Sequence, residues 1–362
     1  MKGGKKSILF VGHEAYRTGA SLLLLNLIRW VYSNRDVKLR LLLLDGGSLL
    51  EEFQKYAQVR VLSKKNSISL LIQKLELDLF LQNSKPDLVY FNTVVTLKFY
   101  QRYQSLFSSF RKVLHIHEMP FSINELAGSN LKLENFDNIL VVNKKIRDFF
   151  IKSSRSIPDI SLITEYIDLN ELKSYPKQSK IASGKKVVLG VGVASWRKGF
   201  DLFLQTAAIS IRQFPNEFEF IWVGPISNQD RARARYDIEL LGINNSLKLV
   251  GESEEVYSYY QNADLLFLSS REDPFPLVML EAAIFRLPVI YFQGTGGAEE
   301  FFNYKAFEIP YGDCQAAAEK IKSILEELKD HKLALDQFQI NAFECDQELV
   351  IPAILKQIGL DD

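Results

Sequence analysis

Ser269 to Glu281 reads Ser-Ser-Arg-Glu-Asp-Pro-Phe-Pro-Leu-Val-Met-Leu-Glu. The apolar run Leu265–Leu268 before it reads as a buried strand. Leu280–Phe285 reads as a helix, and Pro288–Tyr291 returns to strand. Pro274 and Pro276 donate no backbone hydrogen bond, so the middle of the stretch is a turn. Phe275, Pro276, Leu277 and Val278 then stand at the mouth of the helix, where backbone N–H groups are expected to form an anion site. Asp273 and Glu281 flank that mouth with seven residues between them. Carboxylates beside an anion site suit a ligand that carries hydroxyls as well as phosphate. A nucleotide sugar has that chemistry, with phosphates at the helix mouth, ribose on one carboxylate and sugar on the other. An ordinary strand-loop-helix with solvated acids is the alternative.

Working outward, the composition sets bounds. A chain of 362 residues with 47% hydrophobic content has room for two domains, each with its own core. The 44 basic and 44 acidic residues balance, which argues against a dedicated nucleic-acid binder. Cys314 and Cys345 form no CxxC pair, so a reducing cytoplasmic setting is expected. Lys2, Lys5 and Lys6 precede an apolar run of only Ile8–Val11, too short for a signal peptide. No window reaches the roughly 18 apolar residues of a membrane span.

Alternation of apolar runs with helical patterns predicts parallel sheets with helices on both faces. In the first half, strands are expected at Ile8–Val11, Leu39–Leu44, Val59–Leu62, Leu88–Phe91, Val113–Ile116 and Ile139–Val142, with a helix at Leu22–Tyr32. Gly19 stands at the mouth of that helix. Asn92-Thr93 and His115-Ile116-His117-Glu118 fall at strand ends, where such sheets place ligands. His115 and His117 share one face of their strand. No third metal ligand accompanies them, so no metal is expected. The polar stretch 173–186 reads as a linker. A second α/β pattern follows, with strands at Val187–Gly192, Phe218–Val223, Leu247–Val250, Leu265–Leu268, Val289–Phe292 and Phe307–Ile309, and a helix from Asp201 to Phe214. Later helices are expected at Gln315–Lys329 and Glu348–Ile358. Arg231, Arg233 and Arg235 alternate with alanine, a pattern that reads as a solvated helix face paired with Asp230 and Asp237. Between Lys98 and Lys112, Phe99, Tyr103, Phe107 and Phe110 recur at roughly helical spacing among basic residues. Such a helix can lie on an anionic membrane surface or pack on its own sheet.

The stretch Asp273–Glu281 resembles the signature of glycosyltransferase family 4, retaining enzymes of the GT-B fold, in which two glutamates flank Gly-Phe-Gly-Leu. Asp273 stands for the first glutamate and the two prolines for the glycines, while Phe275, Leu277 and Glu281 match. Lys198-Gly199 matches the family's diphosphate-binding lysine and glycine. Val193 lies where the family has arginine, and Arg197 is its replacement here. Gly294–Glu299 resembles a further glycine loop, and Ile163–Leu169 resembles the hinge between domains.

The resemblance implies an α/β protein of GT-B fold, two Rossmann-like doubly wound domains facing across a cleft. An acceptor-side domain would span 1–170, with a last helix within 345–362 packing back on it. A nucleotide-sugar domain would span 171–344. It implies a sugar transferase acting from a nucleoside-diphosphate sugar onto a glycan or lipid-linked hydroxyl, without metal or other cofactor. His117, Lys198, Arg197 and Asp273 would act in transfer. Gly19, Ala20, Arg197, Lys198, Asp273, Phe275, Pro276, Leu277, Val278 and Glu281 would hold the donor. A nucleotide-sugar epimerase and a non-catalytic partner subunit of the same fold are the alternatives.

Overall fold

The computed structural model describes residues 5–62, 70–128, 131, 133–153, 158–176 and 184–360. Lys2 and residues 177–183 of the expected linker lie outside the described residues.

The apolar runs become the strands of two wholly parallel sheets. The first contains β1 (Ser7–Gly12), β2 (Lys38–Leu43), β3 (Gln58–Val61), β4 (Leu88–Asn92), β5 (Arg111–Ile116), β6 (Asn138–Val141) and β7 (Asp159–Leu162), in the order β3-β2-β1-β4-β5-β6-β7. The second contains β8 (Lys186–Val191), β9 (Phe218–Val223), β10 (Leu247–Gly251), β11 (Leu265–Leu268), β12 (Val289–Phe292) and β13 (Glu308–Ile309), in the order β10-β9-β8-β11-β12-β13. Helices cover both faces of a parallel sheet, which is why its central strands are continuous apolar runs. Every residue of β1, β4, β11 and β12 is buried. Helix Gly19–Asn34 turns Leu24, Leu27, Ile28 and Val31 inward at helical spacing.

Strand order reverses between β1 and β4 in one sheet and between β8 and β11 in the other. Crevices at the carboxyl ends of such strand pairs are where doubly wound folds bind ligands. The chain divides into a unit of residues 1–166 with 347–362, and a unit of residues 167–346. Helix Gln347–Gln357 thus belongs with the first unit, where it packs on helix Gly19–Asn34.

Three elements depart from the sequence expectation. β7 is an edge strand whose residues are exposed or half-buried, so no apolar run marks it. Helix Lys332–Phe343 buries only Leu335, Phe338 and Ala342, a thin stripe in a polar segment. The helix expected from Lys98 to Lys112 does not exist as one element. Helix Thr96–Tyr103 passes into a short 3-10 turn, Gln104–Phe107, and β5 begins at Arg111. Tyr103 and Phe107 are buried, and the Lys112 ammonium donates to the carbonyls of Phe110 (2.6 Å) and Phe107 (3.3 Å). The aromatic spacing serves the first unit's own core. Arg233 does pair with Asp230 on helix Asn228–Leu241, at 3.6 Å.

Candidate functional site

In the second unit, the loops after β8, β11 and β12 converge. Gly199 has φ +63°, and a Cβ there would lie 1.8 Å from the Ser269 carbonyl oxygen, so only glycine lets the β8 loop rest on the β11 loop. Arg271 N–H donates to Arg197 O (2.8 Å) and Ser269 Oγ to Lys198 O (3.0 Å). Asp273 N–H donates to Thr295 O (2.8 Å), and Asp273 and Gly296 form a parallel bridge. A Cβ on Gly296 would lie 1.7 Å from Asp273 O. The Gly294–Glu299 loop therefore clamps the backbone of Asp273.

These contacts bring Lys198 and Asp273 together. Lys198 Nζ donates to Asp273 Oδ2 at 2.5 Å, and Ser270 Oγ donates to the same oxygen at 3.1 Å. The two side chains are only 16% and 10% exposed. Burial pulls the Lys198 ammonium below its ordinary value, Asp273 opposes that, and the Arg197 charge adds to it. Asp273 is thus turned onto Lys198. Arg197 is exposed, and its guanidinium donates to Glu272 O (3.1 Å) rather than entering the ion pair.

Helix Leu277–Ile284 begins earlier than its expected start at Leu280, with Pro276 as its N-cap. Pro276 has no N–H, so the anticipated donors at the mouth reduce to the amides of Phe275, Leu277 and Val278. Glu281 lies just beyond the first turn. Tyr260 Oη donates to its Oε2 at 2.6 Å. Burial pushes the Glu281 carboxyl up to about 7, with the Tyr260 hydrogen bond pulling it back and the Glu171 charge adding to the rise. Tyr260, itself buried and stacked on Phe285 (5.8 Å), was not among the expected site residues. It lies on the separate helix Val256–Asn262, and no local spacing links it to Glu281.

The first unit builds a second cluster at its own strand reversal. Gly19 opens helix Gly19–Asn34, and a Cβ there would meet nothing within 4 Å, so internal packing does not demand this glycine. Asn92 Nδ2 donates to Ala20 O (3.1 Å). Asn92 Oδ1 lies 3.0 Å from His117 Nε2, and His117 Nδ1 lies 2.6 Å from Glu165 Oε1. Glu118 Oε2 accepts from the backbone N–H of Val94 and of His117, each at 3.1 Å. Thr93, buried and β-branched, is held at φ +76°, a strained conformation of the kind that gathers at functional sites.

His115 Nδ1 lies 2.5 Å from Tyr90 Oη, and burial draws its imidazole well below the ordinary value. Glu165 is the third ligating group missing from the sequence reading, since donor atoms of His115, His117 and Glu165 lie within 4.8 Å of one another. Both ring nitrogens of His117 are already hydrogen-bonded, so an ion would have to break that chain to enter. The His117 side chain is 7% exposed, with Asn92 and Glu165 on its two nitrogens.

Residues 173–337 match the family model of the group 1 glycosyl transferases. Among curated proteins, an uncharacterized glycosyltransferase of Haemophilus influenzae is 26% identical over 130 residues, 36% of each chain. The amylovoran biosynthesis glycosyltransferase AmsD of Erwinia amylovora is 24% identical over 124 residues, 34% of each chain. The aligned segments thus span about a third of the length of these curated relatives. Over nearly its whole length the chain is similar to Anabaena HepE, solved with UDP (TM-score 0.79, 20% identity, 98% of this chain and 99% of that one) and also with UDP-glucose. The fold is GT-B, two Rossmann-like α/β domains. Among the described residues no helix is long and apolar enough to cross a membrane.

Proposed function

We propose that this protein is a retaining glycosyltransferase that moves a sugar from a nucleoside diphosphate to an acceptor hydroxyl, in glycan, polysaccharide or glycolipid synthesis. The observation that carries the reading is the Lys198–Asp273 ion pair at the strand reversal of the second sheet, in the loop that leads into helix Leu277–Ile284. The match to the group 1 glycosyl transferases covers that same region. A uridine diphosphate sugar is the first donor to test, because HepE was solved with UDP-glucose.

In this reading the diphosphate replaces Asp273 as the partner of Lys198 and accepts hydrogen bonds from the amides of Leu277 and Val278 at the positive end of the helix. Glu281 takes the ribose hydroxyls through Oε1 while Tyr260 holds Oε2. The bond between the anomeric carbon and phosphate oxygen breaks, with its electron pair leaving on the diphosphate. The acceptor oxygen bonds the same face of that carbon and gives its proton to the departing phosphate. Lys198 and the helix amides meet the developing charge, so no metal takes part. Arg197 adds longer-range positive charge. Gly19 and Ala20 offer close backbone approach to the donor phosphates, and His117 acts toward the donor sugar.

The test is incubation of the purified protein with a panel of nucleoside-diphosphate sugars, with and without saccharide or lipid-linked acceptors. Acceptor-dependent release of the diphosphate, unchanged by excess chelator, is the expected result. An altered sugar without acceptor, or turnover that chelator abolishes and a divalent ion restores, would overturn it.

A further inference from the structure

We infer that Glu165, together with Asn92, is a positioning residue that holds His117 as a doubly protonated imidazolium at neutral pH. The hydrogen-bond pattern leads there step by step. Ala20 O can only accept, so the Asn92 group 3.1 Å from it is the amide NH2. That fixes the Asn92 oxygen toward His117 Nε2, 3.0 Å away, and an oxygen acceptor requires a proton on Nε2. The remaining nitrogen, Nδ1, shares a proton with Glu165 Oε1 across 2.6 Å. Imidazole is the stronger base of the two by about two pK units in water, so the shared proton rests on Nδ1. With both nitrogens protonated, the ring carries a positive charge.

The groups around the ring agree. Glu165 faces it from the segment after β7, Asn92 from the end of β4, and Glu118 follows it in the chain and accepts its backbone N–H. His115, on β5, has its ring 4.0 Å from that of His117 and is drawn toward its neutral form by burial, so it adds little opposing charge. His13 acts on Glu118. Burial by itself would lower the His117 imidazole, but the charge and hydrogen bond of Glu165, with the charge of Glu118, reverse this and raise it. A His117 held as imidazolium at neutral pH cannot take a proton from an acceptor. It supplies a fixed cation and, through Asn92, pins the carbonyl of Ala20 at the helix mouth.

The protonation claim is independent of the proposed reaction, whereas its catalytic consequence rests on that reading. The chain holds four histidines, so ring-nitrogen NMR of 15N-histidine protein, with His117 assigned by a His117→Asn variant, reads the state directly. Two protonated ring nitrogens on His117 are expected at about pH 7.5, above the roughly 6.5 of free histidine. In Glu165→Gln the titration falls by more than about one pH unit, and Glu165→Asp restores part of the shift. If Glu165→Gln does not fold, Asn92→Ser withdraws the Nε2 acceptor, and the His117 titration falls below that of the wild type. A single protonated nitrogen in the wild type, a titration unmoved by either substitution, or stoichiometric zinc binding lost with Glu165 would overturn the inference. Turnover provides the second arm. Glu165→Gln loses kcat as pH rises through the lowered titration, while the wild type stays flat there, and parallel profiles would remove the positioning role. Failure of the wild type to transfer any sugar would instead strike the reaction and leave the spectral arm standing.

Discussion

The two strand reversals of this molecule share one topology and use it in opposite ways. In the first unit, Glu165, His117, Asn92 and Ala20 form a hydrogen-bonded chain, while the second oxygen of Glu165 is buried without a partner. In the second, Lys198 and Asp273 answer each other, but a helix start with unmet amides stands beside them, and Glu281 has one oxygen held by Tyr260. In the proposed reading the first cluster keeps its hydrogen bonds, while the second exchanges Asp273 for a phosphate. The fold supplies two equivalent places, and the side chains set what each can do.

The largest expected effect breaks the second cluster. In the proposed reading Lys198→Ala removes the cation that meets the leaving charge, and a loss of about 10²–10³ in kcat is expected. Near-normal turnover in steady-state assays would show that the ion pair belongs with the closed, structural kind.

Next comes Glu281→Gln, which in the proposed reading removes a charged acceptor for the ribose hydroxyls. Nucleoside binding by calorimetry is expected to weaken by roughly 10–100-fold, the equivalent of about 1.5–3 kcal/mol. The same residue predicts a pH dependence. Its carboxyl is held up to about 7 from an ordinary 4.5, so the folded state binds the proton more tightly than the unfolded chain does. Stability therefore falls as pH rises from about 4.5 to about 7 and levels off beyond. Hydroxyl donors favour the charged form, so nucleoside affinity rises with pH through about 7. Glu281→Gln should flatten both trends, and a wild type with no pH dependence in this range would return Glu281 to a plain core role.

A smaller effect concerns how the second cluster is held. Gly199→Ala places a methyl group against Ser269 O at a positive φ, costing about 1–2 kcal/mol for the conformation alone and more for the contact. Urea unfolding should show it, with Lys198 displaced and nucleotide binding reduced together. The smallest effect is on the surface of the first unit. Phe107 and Tyr103 are already buried, so flotation with anionic liposomes should leave the protein in the soluble fraction. Co-flotation would give that unit a surface role after all.

Runs buried on both faces, such as Leu265–Leu268, were legible because a parallel strand is apolar at every position. Lys198, Asp273 and Glu281 were legible because short motifs carry them. Glu165 was not, since it lies 48 residues from His117 and meets it only because β5, β6 and β7 lie side by side. Tyr260 was hidden for the same reason. The aromatics around Phe107 left open what covers them, because helical spacing reports a face to be covered and not its partner, and it did not show that the segment breaks into a helix, a 3-10 turn and a strand.

The segment that begins at Gln347 joins the first unit after the whole second unit has intervened. On a ribosome, β1 to β7 emerge long before helix Gln347–Gln357, and until it arrives the side of helix Gly19–Asn34 that it covers stays bare. Contacts of such long sequence separation form late and slowly. The first unit to be synthesised is therefore the last to be completed, and a nascent chain must keep one apolar helix face out of trouble while an entire second domain is made.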